Sequence, residues 1–357
     1  MPRCVSLFTG AGGLDVGLTE AGFKVVFSTD IEPLCKETYQ RPQNFGTNAV
    51  FHLGNISDVS RELIERTTNE SMDGLDLLAG GPPCPPYSKS RFYRKDKPRG
   101  INDPVGDETL RGYLRLLEEL QPRAFLFENV AGFAYKVHPE GFEWLYMTAE
   151  RLGYEISFKV LNAADYGVPQ IRQRFIMVGI KGRKFVFPPP THMDPRKLDG
   201  NLSEDNLSVW RTAGDVLCDL DTEDNASDDG HFAGGKYNDL LKSIPPGDNY
   251  LFFTAKRGHP NPVFKWRSRY WSFLLKLSPE MPSWTIQARR SNNMGPFHWR
   301  SRILRIEEVK RLQTFPDAWF LAGTVEEQWR QVGNAVPPRL AKHLGRAILR
   351  QIEAGPS

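Results

Sequence analysis

Along the first 180 residues, short runs of β-branched and aromatic residues alternate with stretches whose apolar positions recur every three or four residues. A period of two marks a pleated strand, and a period near 3.6 marks a helix with one buried face. Strands are predicted near 4–8, 24–28, 75–79, 124–128, 155–161 and 174–180. Between them Leu110, Tyr113, Leu114, Leu117 and Leu120 share one helical face, and Trp144, Leu145, Thr148 and Leu152 form a less regular one. Strands alternating with helices predict an α/β fold built on a doubly wound, mostly parallel sheet. After Phe187 the texture changes to Pro188-Pro189-Pro190 and then to Asn-rich, Gly-rich and acidic sequence, the mark of a second, smaller, loop-rich module. Helical spacing returns from 303, and Pro337-Pro338 opens a helix carrying Leu340, Leu344, Ala347 and Ile348 on one side. The expected division is 1–187, 188–300, a hinge segment over 301–330, and a C-terminal helix within 331–357 that returns to the first unit.

Composition narrows the class of protein without naming a task. The chain has 357 residues, 40% hydrophobic and 25% charged, which excludes a mostly disordered, collagenous or membranous protein. No apolar run reaches the length of a membrane span, and Met1 to Phe8 lack the apolar core of a signal peptide, so a cytoplasmic address is expected. The four cysteines, Cys4, Cys35, Cys84 and Cys218, are scattered with no CxxC pair, which suggests neither a disulfide framework nor a metal site. A net charge of +3 says little, but its distribution is uneven: 256–300 holds nine Lys or Arg against Glu280, interleaved with Phe264, Trp266, Tyr270 and Trp271. That composition suits a nucleic-acid surface, and a solvated basic face equally.

Four places could carry chemistry. The first predicted strand runs into Thr9-Gly10-Ala11-Gly12-Gly13-Leu14 and the second ends at Asp30. Glycines let backbone approach a ligand at a helix N-terminus, and an acid at that position can hold ribose hydroxyls, so a nucleoside-bearing cofactor is implied although the spacing is not GxGxxG. Gly80-Gly81-Pro82-Pro83-Cys84-Pro85-Pro86-Tyr87-Ser88 follows the strand Leu75 to Ala79, with six bases from Lys89 to Arg99 against Asp96. Prolines disfavour burial of Cys84 in regular structure, and the basic field favours its thiolate. Glu128 ends the apolar strand Ala124 to Phe127, where burial raises a carboxyl pKa toward that of a proton donor. Gln170-Ile171-Arg172-Gln173-Arg174 opens the last strand and places Arg172 and Arg174 on one face. Structural roles are the plainer alternative for each: a tight turn, a buried thiol, a helix cap, a surface ion pair.

Taken in order, these segments resemble the C5-cytosine DNA methyltransferase family from residue 5 to about 340. Phe8 to Leu14 is similar to its cofactor turn, Gly80 to Cys84 to its nucleophile loop, Glu128-Asn129-Val130 to its base-gripping tripeptide, and Gln170 to Arg174 to its QxRxR element. Arg302 to Asp317 and Gln331 to Pro338 are similar to its two late motifs. The resemblance implies S-adenosylmethionine as methyl donor, held by Phe8, Gly10, Gly12, Gly13, Leu14, Asp30, Ile31, Asn55, Ile56, Pro82, Leu110, Asn334 and Ala335. It implies a flipped cytosine in double-stranded DNA as acceptor, with Cys84 as nucleophile at C6, Glu128 on N3 and Arg174 on O2. Arg172 joins this catalytic set. Residues 188–300 then correspond to a target-recognition domain, and Ser88, Arg91, Thr285, Arg289 and Arg290 are the expected DNA contacts. Two positions depart from the family pattern: Cys84 is followed by Pro85 instead of glutamine, and Asn55 stands where an aspartate is usual. A monomer, associated with the nucleoid through DNA and paired with a separately acting restriction endonuclease, completes the expectation. The alternatives are a tRNA cytosine-5 methyltransferase and a catalytically silent DNA-binding subunit of the same fold.

Overall fold

A computed structural model describes residues 1–83, 103–134, 139–197, 207–221 and 232–354. The first part of the chain runs β1 (Arg3–Leu7), α1 (Gly13–Ala21), β2 (Lys24–Asp30), α2 (Pro33–Tyr39), β3 (Phe51–Leu53), α3 (Arg61–Thr68), β4 (Leu77–Gly80), α4 (Pro104–Leu120), β5 (Ala124–Val130), α5 (Glu140–Arg151), β6 (Tyr154–Asn162), β7 (Gln170–Ile171) and β8 (Gln173–Lys181). Seven strands form one sheet in the order β3-β2-β1-β4-β5-β8-β6. All neighbouring pairs are parallel except those made by β8, which runs antiparallel to both β5 and β6. The reason is chain length: residues 163–172 are too few for the crossover of a dozen or more that a parallel return needs.

The central strands are apolar on both faces because helices cover both, whereas the edge strand β6 exposes Glu155, Phe158, Lys159 and Val160. Phe125, Phe127, Phe175 and Met177 point into a core shared with Leu110, Tyr113, Leu114 and Leu117 of α4. Their alternate neighbours Ala124, Leu126, Ile176 and Val178 point into a second core on the other face with Leu14 and Leu18 of α1. Each buried aromatic or aliphatic side chain contributes about 1.5–3 kcal/mol relative to exposure. The short β3 has only three residues and no clear alternation, which is why the sequence pattern misses it.

The later chain forms α6 (Gly214–Leu217), α7 (Asn238–Ser243), α8 (Ile306–Leu312), α9 (Val325–Asn334) and α10 (Pro338–Glu353). Between α7 and α8 most of the backbone is short turns, packed through Tyr237, Tyr250, Phe264 and Phe273, whose rings meet at 5.4–5.8 Å. Helix α10 buries Leu340, Leu344, Ala347 and Ile348 in the core beside α1. The two helices pass so close that a Cβ on Gly17 would lie 2.3 Å from the Pro338 carbonyl oxygen. No helix among the described residues is long and apolar enough to cross a membrane.

Candidate active site

Strand order changes direction beside β1, with β2 and β3 on one side and β4 and β5 on the other. Ligand clefts of open α/β sheets form beyond the carboxyl ends of strands at such a point. The turn leaving β1 there has Phe8 and Gly10 both at φ 55° and Gly12 at φ 83°. Left-handed backbone at Phe8, which has a Cβ, costs about 1–3 kcal/mol and persists where the surroundings enforce it. The Gly10 N–H donates to Asp30 Oδ2 at 2.8 Å and the Glu32 N–H to Oδ1 at 3.0 Å, so the acid ending β2 is aimed by two backbone donors. Burial pushes the Asp30 carboxyl above its ordinary value despite those bonds.

The glycines of this turn face different surroundings. A Cβ on Gly10 would meet nothing within 4 Å, whereas one on Gly12 would lie 3.1 Å from Trp319 and one on Gly13 2.3 Å from the Val336 carbonyl oxygen. Open space therefore lies over Gly10, and the next two glycines serve packing against the late segments. Beside Asp30, the apolar Ile31 side chain is 62% exposed. An open backbone turn, a directed acid and an uncovered isoleucine can hold the ribose and base of a nucleoside-bearing cofactor.

Other expected cofactor residues take different positions. Leu14 and Leu110 are buried in the two cores, at 6% and 2% exposure, each on the inward face of its helix. Ile56 is buried against α4, while Asn55 accepts from the Ser57 N–H at 3.1 Å and donates to Glu108 at 2.9 Å. Pro82 is buried and its carbonyl accepts from Asn129 Nδ2 at 3.3 Å. Asn334 is exposed at the end of α9, next to the half-buried Ala335.

Glu128 lies near the end of β5 at 5% exposure. Its Oε1 accepts from Arg174 Nε at 2.9 Å. A Cβ on Gly81 would fall 2.6 Å from its Oε2, so the carboxyl abuts the loop that leads three residues later to Cys84. Burial raises the Glu128 pKa, and the charges of Arg174 and Arg172 only partly oppose it. A carboxyl so placed can hold or deliver a proton near neutral pH. Arg174 Nη1 donates to the Gln173 carbonyl at 2.8 Å, while Nη2 has no acceptor among the described residues. Asn129, fully buried, ties the end of β5 to the Pro82 backbone, a task that its place in the Glu128-Asn129-Val130 tripeptide does not reveal.

Arg172 departs from expectation. It falls between β7 and β8, is fully buried, and turns away from the sheet edge to donate to the carbonyls of Ile286 at 3.0 Å, Gly333 at 2.7 Å and Ala335 at 3.2 Å. The two-residue period fails because β8 starts at Gln173, so Arg172 is outside a continuous strand. Arg172 thus ties the β7–β8 junction to the backbone at 286 and 333–335, while its charge still acts on the Glu128 carboxyl. Arg289 and Arg290 also part company: Arg289 is exposed, whereas Arg290 is buried with its Nε 3.8 Å from Glu326, and so offers no free surface to DNA. The exposed Thr285 donates its hydroxyl to the Ile171 carbonyl at 2.8 Å, beside the short strand Ser283–Trp284 that pairs with β7. Cys84, Ser88 and Arg91 lie outside the described residues.

One buried group under the turn is absent from the sequence reading. Asp15 of α1 has no exposed surface and accepts from the hydroxyls of Ser6, Ser28 and Tyr39, joining β1, β2 and α2. Burial pushes its carboxyl up to about 6, against those three bonds. The available signal is an acid set between Leu14 and Val16 on an otherwise buried helix.

The model of the C-5 cytosine-specific DNA methylase family matches residues 2–350. The Type II methyltransferase M.SacI of Streptomyces achromogenes is 37% identical over 98% of this chain and 93% of its own length. M.FnuDI of Fusobacterium nucleatum, also a Type II methyltransferase, is 30% identical over 97% of this chain and 94% of its own. The solved Dnmt2 methyltransferase of S. pombe shares the fold with a TM-score of 0.64 at 17% identity, covering 98% of this chain and 99% of that one. This chain belongs to the C-5 cytosine-specific DNA methylase family. Its activity is accordingly methylation of DNA cytosine at carbon 5.

Proposed function

We propose that the protein methylates carbon 5 of a flipped-out cytosine within a specific double-stranded DNA sequence, through a transient bond between Cys84 and carbon 6. The observation that carries this reading is the Glu128 carboxyl, buried, paired with Arg174 at 2.9 Å and pressed against Gly81 just upstream of Cys84. Carbon 5 of cytosine is a weak nucleophile until something adds to carbon 6. The Cys84 thiolate makes that bond, while Glu128 gives a proton or hydrogen bond to N3 so that an enamine forms instead of a carbanion. Arg174 directs Nη2 at O2, where charge accumulates. S-adenosylmethionine, held at the turn by Asp30, the Gly10 backbone and Ile31, supplies the electrophilic methyl group. Loss of the C5 proton and expulsion of Cys84 restore the enzyme.

The target base is stacked in the duplex and costs a few kcal/mol to extrude. Residues 188–300 act as the target-recognition domain. Support comes from its exposed Tyr270, Trp271 and Trp284 and from Lys256 set over the Trp266 ring at 4.6 Å, the mixture of bases and aromatics that grips nucleic acid. Relatives named as Type II methyltransferases support a place in a restriction-modification system, with a cognate endonuclease acting separately on a site protected by this monomer. The test is bisulfite sequencing of duplex DNA incubated with protein and S-adenosylmethionine. One cytosine within one recurrent sequence should become resistant, and Cys84→Ser should abolish resistance while DNA still binds. Label transferred to tRNA with no protected DNA cytosine, or full activity of Cys84→Ser, would sink the reading.

A further inference from the structure

A cavity of about 750 Å³ opens between α10 and α1 on one side and the α6–α8 region on the other. None of the residues assigned to the cofactor or the cytosine lines it. Its wall carries both signs of charge, but they are not evenly matched. Arg311 is paired with Asp219 and Asp317, Lys342 with Glu20, and Asp215 accepts from the Thr212 N–H at 2.7 Å. Arg211, Arg339 and Arg346 line the same cavity and have no carboxylate within ion-pair distance among the described residues.

Two of the unmatched arginines, the half-buried Arg211 and Arg339, lie close enough to act on each other, while Arg346 is exposed. Arg339 stands in the first turn of α10, its backbone N–H bonded to Thr314 Oγ1 at 3.1 Å. A Cβ on Gly167 would lie 3.1 Å from Arg339 Nε and 2.7 Å from His192 Cε1, so guanidinium and imidazole meet over that glycine. His343, one turn further along α10, packs on Tyr166 with ring centroids 5.6 Å apart. Burial, then the charges of Arg339 and Arg346, pushes His343 down to about 4; burial, then Arg339 and Arg211, lowers His192 as well. Glu20 acts on Arg339 from α1, and Asp215, Asp219 and Asp317 share the wall, yet none of these carboxylates lies within ion-pair distance of the half-buried Arg211 or Arg339; neighbouring cations left so cost free energy, and a bound anion lowers that cost. Guanidinium forks match the oxygens of a phosphate in pairs, and a neutral imidazole can add an N–H donor.

We infer that Arg211 and Arg339, with His192 and His343 beside them, form a phosphate-binding site separate from the cofactor and cytosine sites. It takes a phosphate group from one of two sources, the backbone of bound DNA or a free phosphate ester. The inference does not depend on the reaction proposed above.

The test uses the full chain, Arg339→Gln, and Arg211→Gln as a second variant. Inorganic pyrophosphate at millimolar concentration should raise the melting temperature of the wild type and move the His343 titration, read by NMR, to higher pH. Both responses should disappear in each variant, while methyl transfer at saturating DNA stays unchanged. Without anion the variants should melt no lower than wild type, because each removes a crowded cation. If DNA is the source, Arg339→Gln should weaken binding of all duplexes alike and lower the slope of log K against log salt by about 1. If the source is a free ester, DNA affinity should not change. A wild type that ignores pyrophosphate and keeps its salt slope in both variants would overturn the site, as would undiminished pyrophosphate responses in both variants.

Discussion

Arg174 and Arg172 stand two residues apart, yet they enter regions that differ in almost every physical respect. Arg174 reaches the carboxyl edge of the sheet, where its partner is the charged side chain of Glu128 and a donor atom is left over. Arg172 enters a closed hub. Its partners include backbone carbonyls from two distant places, Ile286 and the Gly333–Ala335 stretch, while Gln170 donates to Gln313 at 2.8 Å and Gln313 to the Val332 carbonyl at 2.8 Å. Gln170, Arg172 and Gln313 have no exposed surface. At the edge, burial raises the pKa of a carboxyl; in the hub, buried polar groups satisfy one another and lock the strand Ser283–Trp284, α8 and the α9–α10 junction to the sheet. The same motif therefore sets one arginine against a buried carboxyl at the sheet edge and the other among interior backbone carbonyls.

Substitutions can break that contrast from either side. The largest effect is expected at the edge: Glu128→Gln should lower kcat by about 10²–10⁴-fold, the range for loss of a positioned proton donor. Its melting temperature should stay near wild type, because the amide can still accept from Arg174. A kcat loss matched by an equal loss of cofactor affinity would show Glu128 to be a packing residue. In the hub, Arg172→Met should cost about 3 kcal/mol of stability by stranding buried carbonyls, read as a lower urea midpoint. The folded fraction should keep a kcat close to normal, and a large kcat defect in fully folded protein would return Arg172 to the catalytic set.

The smallest effect sharpens the comparison through Asp15, a buried carboxyl that lies beneath the edge and beside no cation named above. Its folded pKa of about 6 exceeds the ordinary 3.8, so the folded state holds the proton more tightly. The stabilisation is complete below pH 4 and is lost as pH rises to about 6, by about 2–3 kcal/mol at most. Chemical denaturation across pH 4–7 should show this decline in wild type and a flat response at this position in Asp15→Asn. Equal slopes in both proteins would remove Asp15 from the account.

Much of this was readable before any coordinates. The β1, β2, β5 and β8 runs and the helical faces of α4 and α10 follow from periods and apolar runs, because a strand buried on both faces must be apolar at nearly every position, and the half-exposed β6 follows from its β-branched and aromatic residues. The separation of Arg172 from Arg174 was not readable, since it depends on where β8 begins. That Leu14 and Leu110 are buried in the two cores was not readable either, because a motif names positions in a chain and not which way a side chain turns.

The sequence alone determined most element types and the family and nominated Cys84, Glu128 and Arg174 for the proposed chemistry, since those depend on local spacing and on what each side chain is made of. Tertiary structure alone decided which glycine faces open space, which arginine is spent on assembly, and that Arg211 and Arg339, far apart in the chain, share one cavity. Those outcomes depend on distances between residues remote in sequence, and only the packed sheet and its helices set them.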